Sequence, residues 1–274
     1  MVPMFIDRQR RKILKRKQKE ARSIRRQFDR RLIQAAAFSV GGDFRSLEVA
    51  LQQSATFPVL VEIKGQLFPE NVALENVQPF RLVRDLMALG METAVLVATD
   101  RDFLGGDPSW INLVKLHSEL PVVQLDFIVD PVQAYQSKAI GADAVVLQAD
   151  LLPEDQRKEV LESLLTMGLE VLVQAASPAQ LSGWPLEPLT GLVVGLEEVS
   201  PAALDPWLHY AEQQSSQFPP VMLVRAFPRS AEQLQLLMRE PVSGLILDDR
   251  LWKSEDFREV YREVVTWARR LSQR

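Results

Sequence analysis

From Gly41-Gly42 onward the chain alternates short, nearly continuous apolar runs with longer amphipathic stretches. The runs are PVLVEI (58–63), TAVLVAT (93–99), PVVQLDF (121–127), DAVVLQA (143–149), LEVLVQA (169–175), GLVVG (191–195), PVMLVR (220–225) and GLILDD (244–249). Runs of this length, rich in Val, Leu and Ile, read as strands buried on both faces. The stretches between them read as helices: FRLVRDLMAL, SWINLVKLHSE, PVQAYQSKAI, PEDQRKEVLESLLTM, SPAQLS, PAALDPWLHYAEQQ, SAEQLQLLMRE and SEDFREVYREVVTWARRL. Eight strands, each followed by a helix, predict a closed (β/α)8 barrel. An open doubly wound sheet is less favoured, because EIKGQLF after the first strand is not a GxGxxG phosphate fingerprint. Local punctuation agrees. Asp130-Pro131 and Ser200-Pro201 read as an N-cap followed by proline at the first helical position, and Glu154-Asp155 places acids in a first turn.

The N-terminal stretch DRQRRKILKRKQKEARSIRRQFDRRLIQAAAF has a different pattern. It lacks Pro and Gly and is rich in helix formers. Leu14, Ala21, Phe28 and Ala35 recur every seven residues, with Ile24 on the same side. So narrow a stripe predicts a helix that docks along one seam, or a weak coiled coil. The expected organisation is a basic helical arm over residues 1–40 and a barrel over 41–274.

Charge sharpens that division. The net charge is −4, yet residues 8–31 hold 13 Lys+Arg against two acids, a local +11 that leaves −15 for the rest. Arg10, Arg11, Lys12, Lys15, Arg16, Lys17, Lys19, Arg22, Arg25 and Arg26 form a candidate patch for an anionic partner: an acidic protein, RNA or another anionic surface. The alternative is that the arm docks on the acidic barrel of its own chain. Phe28 alone does not make an aromatic series for base stacking. With no cysteine, thiol chemistry and disulfides are excluded. No apolar run reaches the ~18 residues of a membrane span, and no signal segment is evident, so a cytoplasmic protein is expected. His117 and His209 lie in helical segments without ligand-spaced partners, so no metal is expected, nor any other cofactor. The five tryptophans are scattered and read as core or interface residues.

Barrel chemistry sits at the C-terminal ends of the strands. There the chain reads VEIKG, then TDRDFLGGDPSWINLVK, then PVVQLDFIVDPVQAYQSKAIGADAVVLQADLL, then GLEVLVQAASPAQL. From Val59 to Leu181 this resembles indole-3-glycerol phosphate synthase, a barrel with an extra N-terminal helix. That family closes and decarboxylates a carboxyphenylamino-deoxyribulose phosphate. The resemblance implies that Glu62 and Lys64 are the family's Glu-x-Lys pair, retained at the end of the first strand.

The other positions that the resemblance marks are replaced. A Ser-Pro-Ser loop that helps to hold phosphate becomes Gly65-Gln66-Leu67-Phe68-Pro69. Arg-Lys-Asp-Phe, whose lysine is the general acid, becomes Gln124-Leu125-Asp126-Phe127. A glutamate on the fifth strand becomes Gln174, and an asparagine-containing turn after the sixth becomes Gly195-Leu196-Glu197-Glu198. Glu-Ser-Gly after the seventh becomes Arg225-Ala226-Phe227, and a Gly-hydroxyl phosphate turn after the eighth becomes Asp248-Asp249-Arg250.

These replacements carry chemical consequences. Leucine cannot donate a proton, and loss of a positioned general acid costs about 10²–10⁴ in rate. A carboxylate at ~4 Å from a phosphate charge repels it by about 4 kcal/mol at an effective dielectric of ~20. The expectation is a family member without synthase activity that acts as a binding, scaffolding or regulatory protein. A weak or genuine synthase, and a barrel enzyme for a non-phosphorylated substrate, are the alternatives. No residue is assigned as catalytic. Glu62, Lys64, Arg225, Asp248 and Asp249 are the binding candidates at the mouth. Structural ion pairs are the competing reading: Lys64 with Asp248, and Arg225 with Asp248 or Asp249. Asp248 or Asp249 is expected to cap its own helix, and Asp126 to bond the backbone of its own turn.

Overall fold

The computed structural model of the chain describes residues 7–27 and 43–273. A long helix α1 (Asp7–Gln27) comes first, then a short helix α2 (Leu47–Gln52). The strands follow: β1 (Val59–Ile63), a small hairpin β2 (Gln66–Leu67) and β3 (Val72–Ala73), β4 (Val95–Ala98), β5 (Val122–Leu125), β6 (Ala144–Gln148), β7 (Glu170–Ala175), β8 (Gly191–Gly195), β9 (Val221–Ala226) and β10 (Gly244–Leu247). Between and after them lie α3 (Pro79–Ala88), α4 (Ser109–His117), α5 (Val132–Ala139), α6 (Glu154–Thr166), α7 (Pro201–Gln214), α8 (Ala231–Leu237) and α9 (Phe257–Ser272).

Eight parallel strands close into a barrel in the order β1-β10-β9-β8-β7-β6-β5-β4. This is the (β/α)8 fold that the strand pattern predicts, with the N-terminal helix present. The strands are buried almost throughout, because each has barrel interior on one face and helices on the other. Three elements depart from expectation, the first being the short helix α2, which no predicted segment covers. SPAQLS forms only a 3₁₀ turn, Pro178–Leu181, since Pro178 and six residues leave no room for a full helix. The β2–β3 hairpin has no counterpart in the predicted pattern, because two-residue strands leave no periodicity to read. No helix among the described residues is long and apolar enough to cross a membrane.

The expected helix starts are largely observed. Asp130 accepts the Val132 backbone N–H at 3.0 Å, Ser200 Oγ accepts that of Ala203 at 3.3 Å, and Glu154 and Asp155 lie in the first turn of α6. At the N-terminal end of the barrel, Glu170 at the start of β7 accepts the Leu47 N–H at 2.7 Å and caps α2 beneath the barrel.

The seam of α1 is shifted from the predicted one. Ile13, Lys17, Ala21 and Ile24 form the buried face, and Leu14 is half-buried. That set follows the 3.6-residue period, which places a lysine in the middle of the apolar stripe. Phe28 and Ala35 lie outside the described residues. Ala21 and Ile24 pack on Val132 of α5, so the helix docks against the barrel of its own chain.

Candidate functional site at the barrel mouth

β1 ends with Glu62 pointing into the mouth, and Lys64 follows one residue past the strand. Lys64 Nζ donates to Glu62 Oε2 at 2.7 Å and also pairs with Asp249 Oδ1. From β9, Arg225 donates Nε to Glu62 Oε1 at 2.7 Å and Nη2 to Glu62 Oε2 at 3.0 Å. The same Nη2 reaches Asp249 Oδ1 at 3.1 Å. Two cations and two carboxylates therefore close a four-membered network on the floor of the mouth. Topology explains the meeting: β1 and β9 flank β10, whose terminal turn carries Asp249. Burial alone would raise the Glu62 carboxyl, but Arg225 and Lys64 outweigh it and hold the group down at about 2. Arg225 is shifted the other way, its charge held against burial by Glu62 and Asp249.

The network corrects the expected pairing of Lys64 with Asp248. That carboxylate turns toward Arg250, whose Nη2 lies 2.5 Å from Asp248 Oδ2. Asp248 Oδ1 also accepts the Arg250 backbone N–H at 2.9 Å. Neither aspartate caps a helix. Asp248 closes a turn, and the helix that follows, α9, takes Asp256 as its N-cap. Arg250 goes on to donate to the Glu197 carbonyl at 2.9 Å and lies over the Phe227 ring. The turn after the last strand is thus filled by its own aspartate–arginine pair.

Above the network lies a cavity of about 450 Å³. Leu104, Leu125, Phe68 and Phe127 form one wall, and Ala175, Ala176 and Leu196 the other. Leu125 is buried and delivers only methyl groups to the space. Gln174 accepts from Gln148 Nε2 at 3.3 Å, and both amides border the cavity. The β2–β3 hairpin closes over the rim, tied by Glu70 to Lys253 at 2.8 Å. Its base is fixed where Gly65 and Gln66 donate to the Leu104 carbonyl at 2.9 and 3.0 Å. Gly65 is required there, since a Cβ would lie 2.3 Å from the Gly105 carbonyl oxygen.

A second cluster joins the arm to the mouth. Lys17 Nζ lies 2.6 Å from Asp126 Oδ1 and 2.8 Å from Asp100 Oδ2, with Glu20 at 3.2 Å. Lys17 is only 2% exposed, so it is no part of an anionic-partner patch. Asp100 follows β4 and also accepts the Phe103 N–H at 2.6 Å. Asp126 accepts the Phe127 N–H and the Thr99 hydroxyl, each at 2.6 Å, so its expected turn contact is only part of its work. Burial raises the Asp100 carboxyl despite the opposing pull of Lys17. On the lysine itself burial works against the charge, and Asp126 and Asp100 overcome it, so the group is raised. Arg16 pairs with Asp102 and Arg25 with Asp130, both at the surface, and Lys12 lies over the Phe103 ring. Reading the sequence alone missed Lys17, Asp100 and Asp126 as a group. The available signal was a lysine lying between Ile13 and Ala21 on one helical face, with aspartates just beyond two neighbouring strands.

The histidines stand apart from both clusters. His117 lies against the Phe80 ring and His209 bonds Gln213 on α7.

The family model for indole-3-glycerol phosphate synthase matches residues 10–198. The chain belongs to that family. The indole-3-glycerol phosphate synthase of Shouchella clausii is 27% identical over 218 residues, covering 78% of this chain and 85% of that protein. That of Chlorobium luteolum is 28% identical over 197 residues, covering 71% and 74%. A shorter segment of 119 residues is 35% identical to the synthase of Carboxydothermus hydrogenoformans, covering 43% and 45%. Among solved structures, tryptophan synthase subunit alpha from Legionella pneumophila superposes with a TM-score of 0.59 at 15% identity, covering 83% of this chain and 98% of that one. KGPDC from Streptococcus mutans gives 0.58 at 13%, covering 78% and 98%. These two likenesses concern the fold alone. The family match ends at residue 198, before the strands that bring Arg225, Asp248 and Asp249.

Proposed function

We propose that this member of the indole-3-glycerol phosphate synthase family has no synthase turnover and works in the cytoplasm as a binding or regulatory barrel. The observation that carries the reading is the closed network at the mouth. Lys64 is held between Glu62 and Asp249, and Arg225 clamps the same two carboxylates. A reaction that needs Lys64 or Glu62 free would first have to break buried pairs, and separating such a pair costs about 3–5 kcal/mol. Leu125 supplies no proton where the family has its general acid. The Asp248–Arg250 pair fills the turn where the family grips phosphate.

The arm supports a partner-binding role. With Lys17 buried, and Arg16 and Arg25 engaged with the barrel, its outward face still presents Arg11, Lys15, Lys19, Arg22 and Arg26. That strip suits an acidic protein, RNA or another anionic surface. One specific observation favours a second reading, an enzyme for a non-phosphorylated substrate: an open cavity stands over the retained Glu62 and Lys64.

Turnover decides the first reading. Purified protein is mixed with the carboxyphenylamino-deoxyribulose phosphate and indole fluorescence is followed. The expected result is no turnover above the uncatalysed rate. A rate within about a hundredfold of the ~10 s⁻¹ typical of enzymes overturns the proposal.

A further inference from the structure

We infer that the mouth cavity is a binding site for an uncharged, ring-sized molecule bearing an N–H or O–H donor. The inference rests on the reading above, that the mouth no longer serves the family's phosphorylated substrate. Three observations converge on it.

The first is charge. The cations that border the cavity are Lys64, Arg225, Arg250 and Lys253, and each has a carboxylate partner: Glu62 and Asp249 for the first two, Asp248 for Arg250, Glu70 for Lys253. Among the described residues, no cation of the lining is left to meet an anion. Glu197, also on the lining, adds negative charge, while Asp126 is held by Lys17 from outside it. A carboxylate or phosphate entering this space would lose its hydration without gaining a counter-charge, which is strongly unfavourable.

The second is shape. The cavity, at about 450 Å³, falls in the range of small-molecule sites. Its two apolar walls, Phe68, Leu104, Leu125 and Phe127 against Ala175 and Ala176, suit a flat ring. The alanines leave the space and the larger residues supply the contact.

The third is an unmet acceptor. Gln148 is nine-tenths buried on the cavity lining, and its amide nitrogen donates to Gln174, but its Oε1 has no partner among the described residues. That oxygen is closed off from the open space, so a ligand donor reaches it only when the amide turns about its soft terminal torsion and releases the 3.3 Å bond to Gln174. A buried acceptor without a partner is costly, and a ligand N–H would relieve it.

The experiment uses the full-length protein and three probes of the same ring: benzamide, benzoate and phenyl phosphate. Binding is read by isothermal titration and by the shift of the melting temperature. Benzamide is expected to bind, and both anions to bind at least ~tenfold more weakly. Leu125→Glu and Ala176→Trp, one charging the wall and one filling the space from its rim, are each expected to weaken benzamide by ~tenfold or more. Gln148→Leu should weaken it through loss of the acceptor. The proposal is overturned if benzoate or phenyl phosphate binds as well as benzamide. It is equally overturned if benzamide fails to bind at ~10 mM, or if binding survives both cavity variants. The turnover assay keeps the two readings apart. Synthase activity removes the proposed function whatever benzamide does. Absence of both turnover and a neutral-ligand preference removes only this inference.

Discussion

At the scale of the residue, the most consequential side chain is Lys17. Its ammonium is buried between two aspartates from different strand ends, so its removal strands both charges. Breaking one partner out of a buried pair costs about 3–5 kcal/mol. Lys17→Met is therefore expected to lower the unfolding free energy from urea denaturation by that amount, with a correspondingly lower midpoint. It should also speed tryptic cleavage within residues 7–27, since the helix loses its anchor. An unchanged midpoint would show that the pair carries no net stability. Glu62 makes a second prediction, about pH. Its folded-state value, about 2, lies below the ordinary 4.5, so its stabilisation is present above about pH 4.5 and is lost as pH falls through about 2. Urea midpoints measured from pH 5 downward should fall over that window, and Glu62→Gln should flatten the fall. Glu62, Lys64, Arg225 and Asp249 were legible as one group because barrel closure brings strand ends together. The choice of Asp249 over Asp248 as the partner was not legible. Neighbours in a turn point in opposite directions, and no apolar pattern fixes which one faces inward.

At the scale of the element, strand ends define the mouth, and what they deliver decides its chemistry. β5 ends in Leu125 and passes directly to Asp126, which belongs to the arm's anchor. Restoring a lysine there leaves Gln174 and the Asp248–Arg250 turn unchanged. Leu125→Lys alone is therefore expected to give no synthase turnover above the uncatalysed rate, because residues that act as a unit do not contribute singly. Measurable activity in that variant would mean that these other losses matter less. The hairpin after β1 has its own test. Gly65→Ala would drive a methyl group into the Gly105 backbone, which cannot give way as a side chain could. A loss of roughly 1–3 kcal/mol in thermal denaturation is expected. The eight strands were readable from their apolar runs and the helices from their punctuation. The hairpin and the 3₁₀ turn were not, because elements of two to four residues are shorter than the period that would reveal them.

At the scale of the whole molecule, an acidic barrel carries a basic helix that is partly neutralised by it. The outward strip remains, and its partner binding is expected to depend steeply on salt. Replacing Lys15, Lys19, Arg22 and Arg26 by glutamate should bring elution from heparin to lower salt while leaving the melting temperature within a few degrees, since these side chains are exposed. Retained heparin affinity would place anion binding elsewhere. The buried lysine also bears on how such a chain can change over generations. A lineage that lost the helix would leave Asp100 and Asp126 side by side with no cation between them, and one that neutralised both aspartates would leave a lysine buried with neither of its buried counter-charges. Helix and aspartates are therefore expected to be inherited or discarded together. Among related barrels, those without a lysine at this point of the first helix should also lack one or both of these carboxylates.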